Sequence, residues 1–441
     1  MKQNLKPAVN LTALVLAAGL LIGLTGCFQL GSSKRLPLFK TDGYGVITGY
    51  TCAQTDLPKA LVIPAKIGNE VITGISDGVF YGCTGLTSLD LSACTSLTVI
   101  GGLDRFRIDG AFEGCTGLTE VKLPASLTKI DNSAFKGCTG LTGELNLPAS
   151  LTKIGSFAFF GCTGLTSIDL SGCTSLTKIG RYAFDGCKGL TEVKLPASLT
   201  EIDGFSDCTG LTSIDLSGCT SLTKIGWYAF DGCKGLTEVK LPASLTEIDG
   251  FSGCTGLTSI DLSACTSLTV IGVEEDTVLS GGAFEGCTGL TEVKLPASLT
   301  EIGEKAFRGC SNLAGTIVFP ASLKTIKSYR ESSYPYNIVG AFQGCTKLQG
   351  ADFSACTNFT KIENSTFKNC TSLTEVKLPA SLNEIGKEAF KDCTGLTSAV
   401  FADKHNWKAG GTPISSTALD NAETAALYLR QTYVDKYWKK N

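Results

Sequence analysis

Apolar side chains recur along this chain in a short register, Leu-x-x-Val/Ile-x-Leu, with polar residues between them. Leu118, Val121 and Leu123 form one copy, and Thr119, Glu120 and Lys122 are its polar partners. Its second half alternates polar and apolar, a period of two that predicts a short strand with one buried face. Pro follows the register in eight copies, at Pro64, Pro124, Pro148, Pro196, Pro242, Pro296, Pro320 and Pro379. With no N–H to give, it ends the strand and turns the chain. A Leu and an Ile then return inward, Leu127 and Ile130 in this copy, and an Ala-Phe pair follows at Ala134 and Phe135.

Fourteen versions of this pattern run from Ala60 to about Phe401, with a period of 21 to 25 residues through the middle. A fixed period in that range means stacked supersecondary units, none of which can bury its apolar face alone. The Phe recurs at thirteen positions, 80, 112, 135, 159, 184, 205, 230, 251, 284, 307, 342, 367 and 390. Stacking predicts that these rings form a continuous spine opposite the strands.

Two versions alternate through the middle of the array, one carrying Thr-Glu-Val-Lys-Leu-Pro and the other Thr-Ser-Ile-Asp-Leu-Ser. Residues 187–226 and 233–272 match at all but three positions, which points to tandem duplication. Insertions around Gly101–Asp109, Val273–Ser280 and Ser328–Val339 all fall between the inward Ile and the Ala-Phe pair. They belong to one side of the array, where per-repeat insertions often carry binding, although tolerated surface insertions look the same. Tyr329, Tyr334 and Tyr336 make the third the most contact-prone.

The spacing resembles the leucine-rich repeat, and Leu86-Thr-Ser-Leu89-Asp-Leu91-Ser-Ala-Cys94 supplies Cys at the ninth position, where that family has Asn or Cys. More narrowly, Leu-Pro-Ala-Ser-Leu-Thr-x-Ile-x-x-x-Ala-Phe-x-Gly-Cys resembles the BspA-like repeats of bacterial surface lipoproteins. Val46-Ile47 leading to Val62-Ile63-Pro64 and Gly74-Ile75 is similar to that family's first coil. The resemblance implies an α/β-type repeat solenoid over residues 44–401: a curved leucine-rich-repeat array with a short-stranded parallel concave sheet and an irregular convex side. It also implies adhesion to host extracellular-matrix proteins or to other bacterial cells.

The ends follow other rules. Lys2 and Lys6 precede an apolar run from Ala8 to Leu24, which meets Leu24-Thr25-Gly26-Cys27. Residues 1–26 read as a secretory signal. Small residues directly before a cysteine resemble the bacterial lipobox, which makes Cys27 the expected lipidation site and places the protein at the outer membrane or cell surface. An ordinary signal with an incidental Cys is the competing reading. Residues 27–43 read as anchor and tether, and residues 402–441 as a partly helical C-terminal cap, with helical spacing from Thr417 to Tyr433. Solenoids need their open ends covered, and a free partner-binding helix is the alternative.

Composition then narrows the chemistry. A net charge of −3 and 18% charged residues give no single-sign field to recruit nucleic acid. Twenty cysteines suggest disulfides or metal, but no Cys-x-x-Cys occurs and successive repeat cysteines lie 11, 14 or 21 to 35 residues apart. Zinc wants close, paired ligands. The cysteines instead take two fixed places in the repeat and read as small buried hydrophobes, with disulfides between adjacent coils as the alternative. His405 is the sole histidine and lies outside the array, so Ser-His and Cys-His catalysis have almost no candidates, and neither enzyme activity nor a cofactor is expected.

Asp90, Asp169, Asp215, Asp261 and Asp352 share the fifth position of the register with Lys122, Lys194, Lys240, Lys294 and Lys377. Opposite charges on neighbouring strands read as a ladder that fixes register, not as paired catalytic acids. The strand face is then polar and neutral, with Lys194, Asp215, Lys240, Asp261 and Lys294 as its candidate ligand-binding residues beside Tyr329, Tyr334 and Tyr336. The expected function is a lipid-anchored surface adhesin whose only membrane contact is its anchor. A structural or self-associating coat protein is the alternative.

Overall fold

The computed structural model describes residues 38–102, 109–272, 281–330 and 338–440. Each coil opens with a strand of three to five residues, as at Glu238–Lys240 and Leu165–Asp169. Fourteen such strands, from Ala60–Val62 to Ser398–Phe401, stack in parallel as five short sheets laid end to end. Matching positions pair, so that Ile214 lies against Val239 and Ile260 against Val293, with register shifts only at Gly143/Glu144 and Gly315/Thr316 among the paired long strands. This register keeps every inward residue over its counterpart, as strand alternation requires.

The Pro turn leads to a second, shorter strand that pattern reading did not separate from the non-strand side. Lys224–Ile225, Glu247–Ile248 and Val270–Ile271 pair in parallel within a six-stranded sheet from Glu201–Ile202 to Thr325–Ile326. A similar sheet runs from Val46–Tyr50 to Lys153–Ile154, and isolated bridges through Ile179 and Lys178 connect the two. The strand-bearing face is therefore accompanied by a second parallel ladder, and only the remaining side is irregular. Two-residue strands are too short to show a period of two, which hid them.

The Ala-Phe turn forms the third side. Every Phe of the series is at most 1% exposed. Neighbouring rings stack nearly parallel, with centroids 4.9 Å apart at Phe80–Phe112 and 5.9 Å at Phe205–Phe230. The backbone closes here too, because the Phe112 N–H donates to the Ala134 carbonyl of the next coil and the Phe230 N–H to that of Gly250. Two residues after each Phe the chain turns left-handed, as at Gly232 (φ 68°), and Asp207, Asn369 and Asp392 fill this place in three coils. Asn and Asp are the side chains that tolerate the conformation best.

Both ends are closed. Phe39–Thr41 pairs antiparallel with Val46–Tyr50, which brings residues expected in the tether into the fold. At the other end short helices span Ser416–Asp420 and Ala422–Leu427, capped by the Ser415 hydroxyl and the Asn421 side chain. The second helix packs on the last long strand, Ser398–Phe401. Trp438–Lys440 adds an antiparallel strand to Glu384–Ile385, covering the second ladder. Among the described residues no helix is long and apolar enough to cross a membrane.

Candidate interaction surface

The outward fifth position of the long strands forms one column along the array. Register places Asp169 against Lys194, Asp215 against Lys240 and Asp261 against Lys294. Ammonium and carboxylate lie 3.9, 3.7 and 3.1 Å apart in these pairs. Lys194 and Lys240 each reach a Glu of their own strand as well, Glu192 at 3.0 Å and Glu238 at 3.6 Å. The five charged residues expected here thus come together as neighbouring pairs.

Each Asp also closes the turn after its strand. Asp215 Oδ1 accepts from the Ser217 hydroxyl at 2.6 Å and from its N–H at 2.9 Å, and Asp261 repeats this with Ser263. The Ser263 hydroxyl, then its N–H and Lys294, hold the Asp261 carboxyl down at about 2. An acid held ionised and bonded to three donors is not a proton shuttle at neutral pH. The threonines beside the column are also engaged along the array, Thr237 Oγ1 donating to the Thr212 carbonyl at 3.0 Å.

Three places in the column are aliphatic, one at each end and one within it. Val62, Val318 and Val400 take the same outward place and are 59%, 63% and 41% exposed. The repeat register assigns that place to charge, so these valines are visible in the sequence only once the register is laid down coil by coil. Where the long-strand ladder breaks between Glu120–Lys122 and Gly143–Asn146, a groove of about 340 Å³ opens between Lys122 and Asn146.

The insertion residues part company. Tyr329 lies in a hairpin where Ser328–Arg330 pairs with Ile338–Gly340, and the Lys305 ammonium sits 3.8 Å from its ring centroid. Tyr334 and Tyr336 lie outside the described residues, as do Cys27, 103–108 and 273–280.

The cysteines hold a feature that pattern reading missed. Eighteen are free and buried, thirteen of them three residues after a spine Phe. Twelve of the thirteen donate their S–H to the carbonyl of the Phe in the preceding coil, as Cys138 does to Phe112 at 3.1 Å and Cys287 to Phe251 at 3.0 Å. The thiol is both packing and polar link. Burial raises the thiols of Cys233 and Cys287 to about 12. No thiolate is available for metal or nucleophilic chemistry at such sites, and the described residues contain no group of His, Cys, Asp and Glu placed to hold a metal.

Comparison with known proteins agrees with this architecture. A leucine-rich repeat protein from Bacteroides ovatus ATCC 8483 superposes with a TM-score of 0.57 at 27% identity, over 83% of this chain and 94% of that one. A leucine rich cell surface protein from Faecalibacterium prausnitzii A2-165 matches 86% of this chain and 95% of its own at 20% identity, with a TM-score of 0.37. No curated protein matches. Six copies of the BspA type leucine rich repeat region are matched over residues 108–218, 201–275 and 277–407, more than half of the sequence. The chain therefore belongs to the BspA-type leucine-rich-repeat family.

Proposed function

We propose that this protein is a cell-surface binding protein and, more narrowly, a lipid-anchored, non-enzymatic adhesin for extracellular-matrix or bacterial surface proteins. The observation that carries this reading is the outward column: its charges are paired across neighbouring strands, and exposed valines stand within it and at both its ends. Such a surface offers many similar weak contacts, a design suited to avidity. Lys194, Asp215, Lys240, Asp261 and Lys294 would each contribute little alone, and the hairpin bearing Tyr329 is a second contact region.

The test uses the full chain with Cys27→Ser, offered to matrix proteins and to partner cells. An adhesin captures one of them, whereas a coat protein captures only itself. Deleting residues 187–232, which joins equivalent points of two near-identical copies, should weaken capture in proportion to coils lost. Complete loss on deleting Ser328–Val339, with no effect of the coil deletion, would move recognition to the hairpin. Cys27→Ser should also release the protein from the membrane fraction, and lipid still attached to that variant would refute the anchor.

A further inference from the structure

Near the C-terminal end the residues that follow the spine Phe become mostly cationic. Arg308, Gln343, Lys368 and Lys391 follow Phe307, Phe342, Phe367 and Phe390, whose rings lie 5.2, 5.4 and 5.5 Å apart. These four side chains and Lys387 line a cleft of about 740 Å³ beside the hairpin strand Ile338–Gly340. Four cations thus face one cleft in a chain whose net charge is −3.

Their charges are incompletely matched. Lys368 and Lys391 share one carboxylate, Glu388, at 2.6 and 3.0 Å. Arg308 holds Glu285 of the preceding coil at 2.9 Å. Among the described residues Lys387 meets the Tyr437 ring, 5.1 Å from its centroid, and no carboxylate. Among the described residues only Glu388 and Asp435 line the cleft as acids, and the apolar lining is confined to Ile338 and Val339.

A row of cations spaced by coil stacking matches a linear polyanion better than a single ion. The two carboxylates in the row would repel an unbroken phosphodiester and require donors from the ligand, which sugar hydroxyls provide. Among the described residues the cleft also lacks the aromatic or aliphatic pocket that anchors a protein segment. We propose that this cleft binds an acidic polysaccharide along the solenoid axis, its sulfate or carboxylate groups on Arg308, Lys368, Lys387 and Lys391 and its hydroxyls toward Glu388 and Asp435. The proposal rests on the surface reading for where such a ligand is met, but its test does not.

Full chain with Cys27→Ser is titrated calorimetrically with a heparin-derived octasaccharide, a hyaluronan octasaccharide and octaglutamate, at low and high salt. One or both saccharides should bind, more weakly at high salt, and which one binds identifies sulfate or carboxylate as the recognised group. Lys387→Glu with Lys391→Glu should weaken binding at least about tenfold, whereas Lys59→Glu with Lys66→Glu, the same charge change at the other end of the array, should not. Lys387→Gln, which breaks no ion pair, should weaken it measurably with thermal unfolding unchanged. Octaglutamate binding without either saccharide, no binding at all, or equal loss in the two double variants overturns the proposal. Capture of a matrix protein or partner cell would survive each of those outcomes.

Discussion

The Cys254 thiol donates to the Phe230 carbonyl of the preceding coil at 3.1 Å. The same oxygen accepts from the Cys233 N–H of its own coil, also at 3.1 Å. One carbonyl therefore serves as the joint between two coils. A thiol suits this place because leaving it partly unbonded costs little, while its volume fills the layer beneath the ring.

Cys254→Ala should cost about 1–3 kcal/mol, combining a lost hydrogen bond with a small cavity. Urea unfolding measures it. In the native state the eighteen buried thiols should resist thiol reagents and become reactive on denaturation, because burial keeps reagents from them. Mass spectrometry finding most of them as linked pairs would overturn both statements.

Phe230 stacks on Phe205 at 5.9 Å and on Phe251 at 5.2 Å, and none of its surface is exposed. Phe230→Ala should cost about 3–5 kcal/mol. Since each coil contacts only its neighbours, the loss should split unfolding into two steps at that point. A cost below about 1 kcal/mol with a single transition would contradict the buried spine.

Much of this was legible beforehand, because a repeated register announces both period and burial. Phe230 and Ile225 take the inward places the pattern assigns, and Asp215 faces Lys240 as alternation requires. Three features were hidden. The Lys224–Ile225 strand is too short to carry a period. The role of Cys254 depends on a carbonyl one coil away. Arg308, Lys368 and the Lys387 and Lys391 pair come from three separate coils, and stacking alone assembles their cleft.

Asp231 gives the array a pH dependence. Burial, with the nearby Asp249 carboxyl adding to it, pushes Asp231 up to about 8, against a bond from the Ser252 N–H at 2.9 Å. Burial and Asp207 raise Asp185 to about 6. Both acids hold protons in the folded state that the unfolded chain releases near pH 4, so folded molecules bind more protons between those limits. The stability these two acids contribute is full below about pH 4 and falls as pH rises to about 8, by at most about 1.4 kcal/mol per unit for each proton. Asp231→Asn should flatten this fall and raise the urea midpoint at pH 8. Equal midpoints for the two proteins at pH 8 would mean that Asp231 is ionised at no cost.

The final strand should govern the C-terminal coils. Trp438 and Trp407 are each 1% exposed and meet edge to face at 6.3 Å, while Lys440 reaches Asp403 at 2.8 Å. Removing residues 434–441 uncovers the edge of Glu384–Ile385 and the layer under Trp438, and an unpaired edge of that kind templates association with another chain. The truncated protein should lose hydrogen-exchange protection over residues 384–401 first, keep it near Phe112, and elute partly as dimers or larger species. Trp438→Ala, which keeps the strand but opens a cavity, should cost about 3–5 kcal/mol locally without the association. If the truncated chain stays monomeric and protected through residue 401, the strand is an ornament on a coil that closes itself.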